Sequence, residues 1–236
     1  MSVFTSLGIL VLAMLIQGFL QTSPSIFAIF YHYASGKTSA KKADDQSLSF
    51  ILGVEIATAT IFLITYFIIT FFAAEKIILN SIFLWAMSGL FAALAFFTFF
   101  FYFRLGKKNR TTTKLFISRR MSENFLYRAT HAKNRTDTIL LGFLSSITEL
   151  VFTLPLFIIS SIEIIGLSPR FNFIFIILYI IVATIPLFAI RMSFKTRHNL
   201  AEIQRLRVKR KLFFRIIISA GYVGLAILTF LSGVIK

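Results

Sequence analysis

Apolar residues dominate six stretches of the chain, at about 5–31, 49–73, 78–102, 138–162, 171–190 and 213–234. Each is long enough for a helix to cross a hydrocarbon core of roughly 30 Å, which takes about 20 helical residues. The pattern predicts an all-α polytopic membrane protein with six transmembrane helices. The second-to-third connection is short and holds Glu75 and Lys76. The fourth-to-fifth is short as well, with Glu163, Pro169 and Arg170.

The remaining connections set the orientation. Residues 104–137 carry ten Lys/Arg against Glu123 and Asp137, and 191–215 carry nine against Glu202. In a six-helix chain both fall on one side, together with 32–48 and its Lys37, Lys41 and Lys42. Positive residues near helix ends stay cytoplasmic, so both termini are expected outside a cell membrane. No Lys or Arg precedes Lys37, so the first stretch reads as a retained helix rather than a signal peptide. The segment 193–215 has three readings, an interfacial helix on anionic lipid, a solvated loop or an extension of the last crossing.

Short identities recur at one offset. Gly18-Phe19-Leu20 matches Gly142-Phe143-Leu144, and "ATIFL" at 59–63 matches "ATIPL" at 183–187, both 124 residues apart. An odd number of crossings per half places the halves in opposite orientations. The expectation is a three-plus-three inverted repeat: 1–103 as the first three-helix unit, 104–137 as a basic linker, and 138–236 as the second unit.

Composition narrows the chemistry. The chain has no cysteine, three histidines and a net charge of +16. Thiolate catalysis, disulfides and thiolate metal sites are excluded, and no metal or cofactor is expected. The charge sits between membrane segments, which points to orientation and anionic lipid head groups, not to nucleic acid. "SGKT" at 35–38 lacks the Gly-rich spacing of a phosphate loop.

Polar residues inside the crossings are then the candidates. Thr22, Ser23, Pro24 and Ser25 lie near the middle of the first crossing, with Gln21 beside them. At the 124 offset Ser25 pairs with Glu149 and Pro24 with Thr148. A proline frees an upstream carbonyl, which hydroxyls or a ligand can use. Glu149 lies too deep to reach the interface, so it requires a partner, a wet site or a proton. Glu55, Thr60 and Thr184 complete the expected solute or ion path. Gly18 and Gly142 read as close-packing positions.

"QGFLQTSPSIFAIFYHYASGKTSAKK" at 17–42 and "LGFLSSITELVF" at 141–152 resemble the lysine-exporter superfamily, which includes the CcdA/DsbD-type electron carriers. That resemblance implies six crossings, an inverted repeat and a break at Pro24. Thr148-Glu149 stands where such exporters carry Asn-Pro, and without cysteine the electron-carrier activity is excluded. The expected function is a small secondary transporter or exporter of a small polar solute or cation, coupled to protons, and not an enzyme. The alternative is a non-transporting assembly factor or membrane subunit whose basic segments dock a protein partner.

Overall fold

The computed structural model describes residues 3–34, 40–72, 81–102, 134–167, 169–196 and 200–234; the side chains of 3, 23–34, 40, 43, 72, 101, 102, 193–212 and 214 lie outside that description. The described residues form helices α1 (Val3–Ala34), α2 (Ala40–Phe72), α3 (Ser81–Phe97), α4 (Arg135–Thr148), α5 (Leu150–Gly166), α6 (Asn172–Thr196) and α7 (Leu200–Val234). A π-helical turn, Thr98–Tyr102, extends α3, and a 3-10 turn, Pro169–Phe171, leads into α6. Helices α1, α2, α3, α6 and α7 are each long and apolar enough to cross a membrane. The pair α4 and α5 passes the same test only together, bent by 77° where they meet.

The outer surface differs from that of a water-soluble fold, while the interior keeps an apolar core with buried polar groups in it. Large apolar side chains such as Phe67, Phe71, Trp85, Phe96, Phe173 and Ile174 face outward, while Gln17, Gln21, Thr58, Glu149, Ser160 and Glu163 are buried. Lipid tails solvate the first set as well as a protein core would, so packing and polar contacts must hold the helices together. Among the apolar contacts, Phe62 of α2 stacks on Tyr179 of α6 at 4.4 Å, and Phe157 of α5 tilts against both.

Three pairings organise the bundle: α2 with α4, α3 with α7, and α1 with α6. Helix α1 is central and also touches α2, α5 and α7. Glycine permits the closest crossings. A Cβ on Gly142 would strike the Phe50 carbonyl oxygen of α2, and one on Gly53 would strike the Ile139 carbonyl oxygen of α4. A Cβ on Gly18 would lie 2.8 Å from Pro186 Cγ and 2.9 Å from the Ala183 carbonyl oxygen of α6. The close-packing reading of Gly18 and Gly142 holds.

Polar contacts mark the two ends of α2. Near its start, Asp45 accepts from Arg135 of α4 at 2.8 Å. Asp44 accepts two bonds from Arg191 of α6, at 3.0 Å from Nε and 2.9 Å from an Nη. Near its far end, Tyr66 Oη accepts from Asn172 at the start of α6, at 3.1 Å.

Several expectations change. The stretch expected as a fourth crossing is not a straight helix over 138–162; it breaks at Glu149 and runs on to Gly166. Glu163, expected in a short connection, is buried in α5. The expected loop at 32–48 is mostly helix, since α1 reaches Ala34 and α2 starts at Ala40. The backbone from Leu200 onward is one helix with the last crossing, so the interfacial-helix reading gives way to the extension. The linker is helical from Arg135; residues 103–133 lie outside the described residues.

Candidate functional site

The break at Glu149 has a local cause. Ser145 and Ser146 both direct their hydroxyls at the Gly142 carbonyl, at 2.7 and 3.5 Å, and Thr148 donates to the Ser145 carbonyl at 2.6 Å. Hydroxyls that bond backward compete with the backbone ladder and bend helices. The Glu149 amide then bonds one residue short of the α-helical acceptor, to Ser146 O at 3.2 Å. Its own carbonyl accepts from Phe152 and Thr153 at 2.9 and 3.1 Å, which starts α5. Pro155 weakens that new helix further, because it has no amide to give Val151 and its ring crowds that carbonyl. Glu149 therefore sits between the carbonyl end of α4 and the amide end of α5, and its side chain does not cap α5.

Contacts between helices show what shares its depth. Tyr222 of α7 donates to the Phe152 carbonyl at 2.9 Å, three residues after Glu149. Next to Tyr222, Gly221 meets Ile16 of α1; a Cβ there would lie 2.6 Å from Ile16 Cγ1. Gln17 follows Ile16, and Gln21 is one turn further along the same face. Gln21 Nε2 donates to Thr58 Oγ1 of α2 at 2.6 Å. Gly18 touches α6 at Ala183 and Pro186, on either side of Thr184. Gln17 and Gln21 flank the middle of α1, Thr58 lies midway from Asp45 to Phe72, and Thr184 is the midpoint of α6. One polar layer thus crosses the centre of the bundle, with α1, α2, α5, α6 and α7 contributing.

The expected site residues divide on this geometry. Glu149 is 4% exposed and belongs to the layer, as do Thr22 and Thr184, both buried. Thr22 donates to the Phe19 carbonyl at 2.6 Å, and Thr184 to Ile180 and Ile181 at 3.2 and 2.9 Å. Thr148 is half-buried at the break. Glu55 is half-buried on α2, one turn from Thr58. Thr60 faces outward; it is about 200° around α2 from Thr58, so only one of the two can meet α1. The side chains of Ser23, Pro24 and Ser25 lie outside the described residues, but α1 remains helical through them, so the break expected at Pro24 is absent.

Gln17, Tyr222 and Glu163 were not among the expected residues. The i, i+4 spacing of Gln17 and Gln21 in an apolar helix was the available signal. Tyr222 had a weaker one, lying within the small-residue run Ser219–Gly224. Among the described residues no group of three or more His, Cys, Asp or Glu is placed to hold a metal ion.

A mid-depth carboxylate at a helix break can exchange a proton or a cation without drawing the group through lipid. The fold and this layer define an all-helical chain whose apolar helices suit it to a membrane. No family model, curated protein or solved structure matches it.

Proposed function

We propose that the chain is a small secondary transporter or exporter of a small polar solute or ion, with Glu149 taking up and releasing a proton or cation. The observation that carries this reading is the buried Glu149 at a broken helix, level with polar side chains from four other helices. Substrate sites of secondary transporters form where discontinuous helices meet near the midplane.

The bundle geometry supports six crossings. Arg135 is held at Asp45 and Asn172 at Tyr66, positions separated by about 32 Å along α2 at 1.5 Å per residue. Helices α4 and α5 together connect those two ends, as one broken span does and a re-entrant loop does not. The pairings also support an inverted repeat. If the halves correspond, α1 with α6 is the counterpart of α4 with α2, and each has a glycine crossing at the matched positions Gly18 and Gly142. Ser219 donates to the carbonyl of Ala95, its own counterpart at the 124 offset, as a two-fold axis between α3 and α7 requires. The registers differ, since Gly142 meets Phe50 and Val54 where a strict repeat would bring it to 59–62. On the positive-inside argument, the end with Asp44, Asp45, Arg135 and Arg191 is cytoplasmic.

The test is flux from liposomes containing purified protein, over a panel of protons, inorganic cations and small polar solutes. Glu149→Gln keeps size and hydrogen bonding but cannot ionise, so it should abolish or uncouple flux while the protein stays folded. Wild-type flux from the Gln variant, with the same pH dependence, removes Glu149 from the mechanism. A wild-type protein that moves nothing favours the non-transporting assembly factor or membrane subunit.

A further inference from the structure

We infer that the cytoplasmic end of the polar layer is closed by a latch, Asp44–Arg191, and that the inner third of α6 is the moving part, hinged at Pro186. This inference rests on the transporter reading and concerns access to the same site. The two aspartates at the start of α2 each hold a different helix, and the two attachments are not equivalent. Asp45 holds Arg135 of α4 in a pair whose side chains are 41% and 73% exposed. Solvent and salt weaken such a pair, and α4 does not depend on it. The Gly53 and Gly142 crossings already bring the backbones of α2 and α4 together. Asp44 and Arg191 are more enclosed, at 22% and 19%, and their two-bond geometry fixes the guanidinium in one orientation.

Helix α6 is the weak element of that attachment. Pro186 lies inside it, five residues before Arg191, and gives no amide to the Val182 carbonyl. Thr184 directs its hydroxyl at the carbonyls of Ile180 and Ile181, loosening the same turn. The outer half of α6 is fixed to α2 by the Phe62–Tyr179 stack and by Asn172–Tyr66. Beyond Pro186, the latch is the described polar contact between α6 and α2. Releasing it removes that described polar tie to α2 and lets the segment 187–196 swing about the proline while the outer half stays docked.

The uncovered route leads to the polar layer. Asp44, Ile51, Glu55 and Thr58 recur at helical spacing along one face of α2, so a half-buried carboxylate stands between the latch and the layer. An opened inner end of α6 exposes Glu55 first and then Thr58, Gln21 and Thr184.

Because the chain has no native cysteine, a single introduced one reports access without background. Thr184→Cys in inside-out vesicles is labelled with a membrane-impermeant thiol reagent. Adding Asp44→Asn should raise the labelling rate about tenfold. The swap Asp44→Arg with Arg191→Asp should bring it back towards the parent rate, which general misfolding cannot do. Asp45→Asn should change it less than twofold. Equal rates in the parent and Asp44→Asn, with both proteins folded, overturn the latch. An equal rise in Asp45→Asn, or a swap that stays fast, also overturns it. Labelling requires no flux, so a latch that behaves as expected in a protein with no Glu149-dependent transport would count against the transporter reading alone. Flat labelling beside Glu149-dependent flux would count against the latch alone.

Discussion

In the α3/α7 pair, hydroxyls cross from one helix to the other. Ser88 donates to the Ala226 carbonyl at 2.7 Å, and Ser219 donates back to Ala95 at 3.0 Å. In the central layer the same residue types mostly bond within their own helix: Thr22 to Phe19, Ser145 to Gly142, Thr148 to Ser145, and Thr184 to Ile180. The first arrangement fastens two helices; the second bends or softens one and leaves its contact with neighbours to packing. Cross-helix bonds described at the centre run from Gln21 to Thr58 and from Tyr222 to Phe152. The contrast teaches that a buried serine or threonine says little by itself about whether a helix is fixed. What decides is whose carbonyl it reaches.

A second fixed pair, α2/α4, is held by glycine instead, and it yields the largest expected effect. Gly142→Val places a branched side chain on the Phe50 carbonyl, which backbone cannot yield without separating the helices. Overpacking of this kind costs about 1–3 kcal/mol or more, and backbone contact puts it at the upper end. The variant should lose most folded monomer in size-exclusion chromatography after detergent extraction. Gly89→Ala, exposed with nothing within 4 Å of its Cβ, should gain about 0.5–1 kcal/mol from helix propensity. A Gly142→Val variant at least as stable as the parent would show that helix propensity, not the crossing, governs that position.

Next in size is the polar link beside the break. Tyr222→Phe removes the bond to the Phe152 carbonyl that ties α7 to α5 next to Glu149. A cost of about 1 kcal/mol is expected, measured as a lower thermal midpoint in detergent. Gln21→Leu with Thr58→Val, run as a double-mutant cycle, should return a coupling near 0.6 kcal/mol, the usual size for interhelical bonds in a membrane. A coupling of zero would mean that α1 and α2 are held at this level by packing alone, and the centre would be looser still.

Much of this architecture was legible from apolar run lengths, because a bilayer demands helices of a set length whatever their partners. Gly18 and Gly142 were legible too, since a small residue in a membrane helix has few uses other than close approach. The position of the break was not. The break was expected at Pro24, yet α1 passes through it and the bend falls at Glu149, six residues before Pro155. The cause lay in three hydroxyls bonding backward at once, and serine and threonine do that in many straight helices. Glu163 was assigned to a connection because charge conventionally marks the end of a crossing; its burial depends on neighbours that hydropathy does not describe. Thr60 matches Thr184 at the 124 offset, but the matched threonines face opposite environments, Thr60 outward and Thr184 buried.

The smallest effect tests the opening contrast most directly. Ser219→Ala and Ser145→Ala delete the same atom at two buried positions. At Ser219 the lost bond spans two helices, so α3 loses a partner for the Ala95 carbonyl, and about 0.6 kcal/mol of stability should go with it. At Ser145 the lost bond is local, to a carbonyl three residues back that Ser146 also approaches. Backward bonding of this kind slightly destabilises a helix, so Ser145→Ala should leave the thermal midpoint unchanged or raise it a little. It should also straighten the end of α4, which spin labels on α4 and α5 would report as a change in the 77° bend. If Ser145→Ala is instead the more destabilising of the two, the hydroxyls at the break support structure rather than bend it. The distinction between a fastened periphery and a softened centre would then fail.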